Sequence, residues 1–186
     1  MIGVTGTNGK TSTTYFMESI LNTIGHKTGV IGTVETRIGG KKRDIKFATS
    51  TTPDTLDLNA ILKLMADENV EDLVMEVSSH GLALKKVDGI DFNIGIFTNL
   101  TQDHLDFHKT MENYCLAKAK LFKMCKTGII NVDDKWSQKI IDEATCDIIT
   151  YSIDEPSDEY RSFFEENHLR CYVFHKKNIC LLYTSD

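Results

Sequence analysis

The segment GVTGTNGKTS, Gly3 to Ser12, constrains this chain more than any other. An apolar stretch, Ile2-Gly3-Val4, runs into a turn holding Gly6 and Gly9, and a helical apolar period starts directly after it. A strand, a glycine-rich turn and a helix in this order aim backbone N–H groups and a helix N-terminus at an anion. Gly6 and Gly9 allow the tight backbone, with Thr7 and Asn8 between them and Ser12 closing the loop. Lys10 is spaced to reach outer phosphates, and the Thr11 hydroxyl stands where a Mg²⁺ ligand is expected. The loop is a variant, because Val4 occupies the place of the first glycine of the G-x-x-x-x-G-K-[ST] pattern. A threonine-capped turn is the bland alternative.

Short apolar runs recur downstream: DLVMEV (72–77), IGIFTNL (94–100), GIINV (128–132) and CDIITY (146–151). Helical patterns separate them, which predicts an α/β fold of the P-loop type: three layers, a mostly parallel sheet and helices on both faces. Met17, Ile20, Leu21 and Ile24 give the first helix its apolar stripe, with Gly25 as C-cap. Leu58, Ile61, Leu62 and Met65 give a second helix, after Pro53. Residues 109–126 and 135–145 predict two more. The stretch 28–49 reads as a β-hairpin insertion closed at Gly39-Gly40, and RCYVFH and ICLLYT flank KKN as a terminal hairpin. No closing helix follows, so the domain is expected to be truncated at its C-terminus.

A net charge of −6 offers no basic field for nucleic acid or anionic membrane, so an anion must be held by local groups. Five scattered cysteines without a C-x-x-C pair argue against a disulfide framework or zinc site and fit a reducing cytoplasm. No apolar run reaches spanning length, so no membrane insertion is expected.

Glu76 interrupts the apolar run LVMEV near its C-terminal end, where parallel sheets place their ligands, and predicts a metal carboxylate; a solvent-facing edge glutamate is the alternative. TNLTQDHLDFH ends the next strand with Asp103, His104, Asp106 and His108, which suggests metal or phosphate contacts, or else a solvated loop with a helix cap. In MENYCLAKAKLF, Lys118 falls on one helix face with Tyr114, Cys115, Leu121 and Phe122. Burial lowers a lysine pKa toward the neutral amine, which reacts with carbon dioxide to give an anionic carbamate. On periodicity alone, a lysine snorkelling its ammonium to solvent is the simpler account.

Taken in order, GVTGTNGKTS, TSTTPDTLDL, MEVSSHGLALKKVDG, FTNLTQDHLDFH, MENYCLAKAKLF and NVDD closely resemble the central ATPase domain of the Mur ligase family, over most of residues 1–152. TTPDTLDL, EVSSHGL and DHLDFH together resemble its MurE branch, the UDP-MurNAc-tripeptide synthetases. The resemblance implies a cytoplasmic, ATP-dependent amide ligase that builds peptidoglycan through an acyl phosphate. Its partners would be UDP-MurNAc-dipeptide and an amino acid, diaminopimelate or lysine. It implies that Lys10 and the loop residues Gly6, Thr7, Asn8, Gly9, Thr11 and Ser12 hold ATP. Thr11 and Glu76 would serve one Mg²⁺; His104 and a carbamylated Lys118 would serve a second. Thr51, Thr52, Ser78 and Lys86 match substrate-contacting positions, although the family often has Arg where Lys86 stands and lysine lacks the bidentate fork. The family's UDP-binding and amino-acid-binding flanking domains have no counterpart within these residues, so the chain alone is expected to be inactive. Folylpolyglutamate synthases share the loop but usually carry Gly where this chain has Thr11. A stand-alone ATP-binding regulatory module is the reading from another class. A kinase or GTPase leaves the T-T-P segment without a role.

Overall fold

The computed structural model of the chain describes residues 1–45, 51–152, 170–175 and 178–181, the last two segments by backbone alone. In chain order the described elements are β1 (Ile2–Thr5), α1 (Lys10–Thr23), β2 (Thr28–Ile31), β3 (Thr36–Ile38), β4 (Lys41–Arg43), α2 (Thr55–Asp67), β5 (Asp72–Glu76), α3 (Ser79–Ala83) and β6 (Phe92–Phe97). They continue with α4 (Leu105–His108), α5 (Met111–Ala119), a 3₁₀ turn (Lys120–Lys123), β7 (Cys125–Asn131), α6 (Ser137–Glu143), β8 (Asp147–Ser152), β9 (Arg170–His175) and β10 (Asn178–Leu181).

The strands form one sheet in the order β10-β9-β8-β7-β6-β1-β5-β2-β3-β4. From β9 across to β2 every neighbour pairs in parallel, and the antiparallel pairs lie at the two edges, β2-β3-β4 and β9-β10. The predicted α/β class therefore holds, as does the terminal hairpin. The stretch 28–49 is not an insertion, however. Its first residues, Thr28–Ile31, are a buried parallel strand between β5 and β3, and only β3 and β4 form the hairpin. Gly39 and Gly40 close that hairpin with φ of 56° and 73°, as a two-residue primed turn requires; residues 46–49 of the expected hairpin lie outside the described residues.

Side chains alternate across the sheet. Ile2, Val4, Val74 and Ile96 point to one face, where Met17 and Leu21 of α1 pack on them. Leu73, Met75, Phe92 and Phe97 point to the other, against Leu58, Ile61 and Met65 of α2, Leu82 of α3, Tyr114 and Cys115 of α5, and Ile140 of α6.

Helix α1 departs from its predicted stripe. Ile20 and Ile24 are 57% and 63% exposed, while Thr14 and Glu18 are buried. The loop sets the rotation: Thr11 must face the end of β5, and residues three and seven positions on then share its side. Glu18 is tolerated because Arg37 of β3 donates to it from Nε at 3.1 Å. The helix ends as predicted at Gly25 (φ 92°), where His26 N–H reaches Leu21 C=O and Gly25 N–H reaches Asn22 C=O. The helix expected over 109–126 is shorter. After Ala119 it tightens into the 3₁₀ turn and gives way to β7 at Cys125, so that Leu121 and Phe122 plug under Gly3, Gly95 and Gly128.

Candidate active site at the strand ends

The C-terminal ends of β1, β2, β5 and β6 meet around the glycine-rich loop. Gly6 (φ 150°) could carry no side chain, because a Cβ there would stand 1.9 Å from Thr98 Oγ1. Gly9 caps α1 in the left-handed region. The loop is latched from the residues after β6: Asn99 accepts from Asn8 N–H through Oδ1 at 2.9 Å and donates to Asn8 C=O through Nδ2 at 3.1 Å. Thr98 Oγ1 donates to the same carbonyl at 2.7 Å, and Thr7 N–H reaches Asn99 C=O at 2.8 Å. The NVDD segment secures the latch in turn, with Asn131 Nδ2 on Thr98 C=O and Asp134 Oδ2 accepting from Leu100 N–H.

Two lysines converge on one loop carbonyl. Lys10 Nζ donates to Gly6 C=O at 2.9 Å and to Thr7 C=O at 2.9 Å, folded back over the loop. Lys118 Nζ donates to the same Gly6 C=O at 2.8 Å and lies 4.6 Å from the centre of the Tyr114 ring. Lys118 is 1% exposed, so it does not snorkel, and it shares its buried face with Tyr114, Cys115, Leu121 and Phe122 as the periodicity predicts. Burial and then the neighbouring Lys10 charge hold the Lys118 pKa well below its ordinary value, with Asp103 opposing. Burial lowers Lys10 as well, against the pull of Glu76 and Asp103. The Lys10 charge makes a site that gains from an anion and disfavours a second ammonium on Lys118.

Glu76 closes β5 in the sheet interior, 1% exposed, which removes the solvent-facing alternative. Its carboxylate accepts from Thr11 Oγ1 at 2.8 Å, Thr33 N–H at 3.1 Å and Thr33 Oγ1 at 2.9 Å. The structure thus joins the predicted pair Thr11 and Glu76. Gly32 makes room for them, since a Cβ there would stand 2.5 Å from Glu76 Oε1. Thr33 Oγ1 in turn accepts from Thr51 Oγ1 at 3.0 Å. Thr52 Oγ1 donates to Glu76 C=O and lies 3.0 Å from Ser78 Oγ, which caps α3 by accepting from Gly81 N–H. Thr51, Thr52 and Ser78 therefore adjoin the Glu76 site. Lys86 pairs instead with Asp54 at 2.7 Å, and Ser12 is exposed on the first turn of α1.

The DHLDFH residues separate. His104 adopts φ 51° and is exposed, with its Nε2 3.4 Å from Asp103; its ring lies edge-on to Tyr114, the same ring that Lys118 overlies. His108 turns away into the interior, hydrogen-bonded through Nε2 to Ser79 Oγ at 2.9 Å and stacked on Tyr114, and burial lowers its pKa to about 4. Asp106 is exposed. The α4 turn that follows His104 sends His108 inward, while both rings keep contact with Tyr114. Among the described residues no three His, Cys, Asp or Glu side chains gather as a metal-holding group.

Thr33, Gly32, Thr98 and Asn99 escaped the sequence reading as site residues. Thr98 and Asn99 end an apolar run that enters the site, the signal that pointed to Glu76. Gly32 and Thr33 follow β2, a strand the reading missed.

The Mur ligase middle domain model matches residues 4–182. The chain belongs to the Mur ligase family. Among its Mur ligase relatives, a protein of Caldanaerobacter subterraneus subsp. tengcongensis is 50% identical over 154 residues, 82% of this chain and 31% of that protein. Another, of Clostridium acetobutylicum, is 51% identical over 158 residues, 85% of this chain and 32% of that protein. Both are named as UDP-N-acetylmuramoyl-L-alanyl-D-glutamate--2,6-diaminopimelate ligases. The chain thus spans about a third of the length of the curated relatives it matches. A solved structure of a ligase of that name superposes with a TM-score of 0.77 at 27% identity, covering 98% of this chain and 38% of that one. A folylpolyglutamate synthase bound to Mn, AMPPNP and L-glutamate shares the fold at a TM-score of 0.62 and 18% identity, over 83% of this chain and 44% of that one. Within this Mur ligase domain no described helix is long and apolar enough to cross a membrane.

Proposed function

We propose that the chain is the nucleotide-binding middle domain of a cytoplasmic, ATP-dependent ligase that adds the third amino acid to UDP-MurNAc-L-Ala-D-Glu. The names of its relatives favour 2,6-diaminopimelate over lysine as that amino acid. The observation that carries the reading is the meeting of Lys10 and Lys118 on the Gly6 carbonyl. The Lys10 ammonium, at the N-terminus of α1, suits a triphosphate, and the Lys118 amine lies beside it. The γ-phosphoryl group passes to the glutamate carboxylate as its bond to ADP breaks, giving an acyl phosphate; the amino group of the incoming residue attacks the carbonyl carbon and loses a proton, and the tetrahedral adduct expels phosphate to leave an amide. Lys10 neutralises charge on the transferred group, and the latched loop positions it.

Thr11 and Glu76 fit a Mg²⁺ site: hard oxygen donors, hydrogen-bonded to each other, with the carboxylate orientation set by Thr33. The ion would offset phosphate charge there. The neutral Lys118 amine adds to carbon dioxide, losing a proton to solvent, and the resulting carbamate is an anion that Lys10 attracts, where an ammonium would be repelled. That carbamate and His104, both of which approach the Tyr114 ring, would be the donors for a second Mg²⁺. Thr51, Thr52, Ser78 and Lys86 are assigned to the UDP-MurNAc-dipeptide. The chain is about a third of the length of its relatives, and residues 1–186 alone are expected to form no tripeptide; product formation by them would refute that division of labour.

An isotope experiment tests the chemistry. When the full ligase is given UDP-MurNAc-L-Ala-D-Glu with ¹⁸O in its free glutamate carboxylates, one ¹⁸O should appear in the released inorganic phosphate. Unlabelled phosphate would exclude an acyl phosphate.

A further inference from the structure

Cys125 and Cys146 stand apart from the nucleotide site. Cys125 opens β7 and Cys146 lies in the bend just before β8, so both sit at the N-terminal end of the parallel strands, opposite the glycine-rich loop. Their sulfurs are 3.6 Å apart, and both residues are half-buried rather than sealed in the core. The floor beneath them is cleared by two glycines that are partners across β6 and β7, Gly95 and Gly128. A Cβ at Gly95 would stand 2.9 Å from Cys125 Sγ, and one at Gly128 would stand 3.2 Å from Cys146 Sγ. The paired glycines thus leave one shared recess for two thiols. A disulfide bond is about 2.05 Å long, so the sulfurs need to close by only about 1.5 Å, within the reach of side-chain torsions.

We propose that Cys125 and Cys146 are a redox-modifiable dithiol that closes to an intramolecular disulfide by exchange with a small-molecule disulfide. The thiolate of one cysteine attacks one sulfur of the reagent, breaking its S–S bond and expelling one thiolate. The other cysteine then loses its proton and attacks the first cysteine's sulfur, expelling the second. Two protein thiols become one disulfide and the reagent becomes two thiols, so electrons and protons balance. The hydrogen bond between the two thiols stabilises a thiolate on the one that accepts it. Cys115 is fully buried, with a pKa raised to about 12, and does not compete.

The test treats the folded 186-residue chain with oxidised glutathione, blocks remaining thiols with N-ethylmaleimide and maps the peptides by mass spectrometry. The expected result is a peptide pair joined through Cys125 and Cys146, without label on either, released by dithiothreitol. In Cys125→Ser the exchange should stop at a glutathione adduct on Cys146, and in Cys146→Ser at one on Cys125. Label on both cysteines of the treated wild-type chain, or glutathione retained on both, would overturn the proposal.

Discussion

At the scale of single residues, the site is governed by what burial does to charge. Lys118 is the clearest case: its folded pKa lies well below the ordinary 10.5. Between those two values the unfolded chain binds a proton that the folded chain does not. Stability therefore rises with pH across that window and is lost as pH falls through it. Lys118→Met should flatten this slope in denaturant titrations at a series of alkaline pH values; an unchanged slope would place the effect elsewhere. His108 gives the acid-side counterpart. Its pKa falls from 6.5 to about 4, so its contribution is complete above 6.5 and disappears as pH drops toward 4. His108→Asn should lose less stability between pH 7 and pH 5 than the unaltered chain, measured by urea unfolding. The loop residues and Lys118 were legible in the sequence because each breaks a local pattern: glycines where a helix begins, and a lysine on an apolar face. The inward turn of His108 was not, because proximity in sequence does not reveal which way a left-handed residue such as His104 redirects the chain.

Among the elements, β2 and α1 show how the site shapes the fold. Strand β2 has only Thr28 to Ile31 and two of those residues are Thr and Gly, so hydrophobic periodicity could not separate it from the hairpin that follows. Its exit at Gly32 and Thr33 nonetheless orients Glu76. Gly32→Ala forces that carboxylate aside and should weaken Mg²⁺-dependent nucleotide binding by about tenfold or more, as loss of a supporting contact to a metal ligand does. Calorimetric titration with and without Mg²⁺ measures this, and equal affinity in the variant would contradict the role of Gly32. The rotation of α1 gives a second check. Ile20→Gln and Ile24→Gln should each change stability by no more than about 0.5 kcal/mol, whereas Leu21→Ala, against the sheet, should cost about 2 kcal/mol. The apolar stripe of the sequence did not disclose this orientation, because the demand that Thr11 meet Glu76 outweighs the burial of two isoleucines.

At the scale of the molecule, a parallel sheet carries every proposed phosphate and metal group at one end and the Cys125–Cys146 pair at the other. The class of this fold could be read from alternating apolar runs and helical periods. The strand order could not, since it depends on pairings between residues such as Val4 and Glu76 that are remote in sequence. The central claim, that Lys10 and the latched loop form a triphosphate site, is tested most directly by ATP titration of the folded 186-residue chain in the presence of Mg²⁺. Saturable binding that falls by at least about tenfold in Lys10→Ala, the loss of one charge-assisted contact, is the predicted result. Equal affinity in the two folded proteins, or no binding by either, would contradict it.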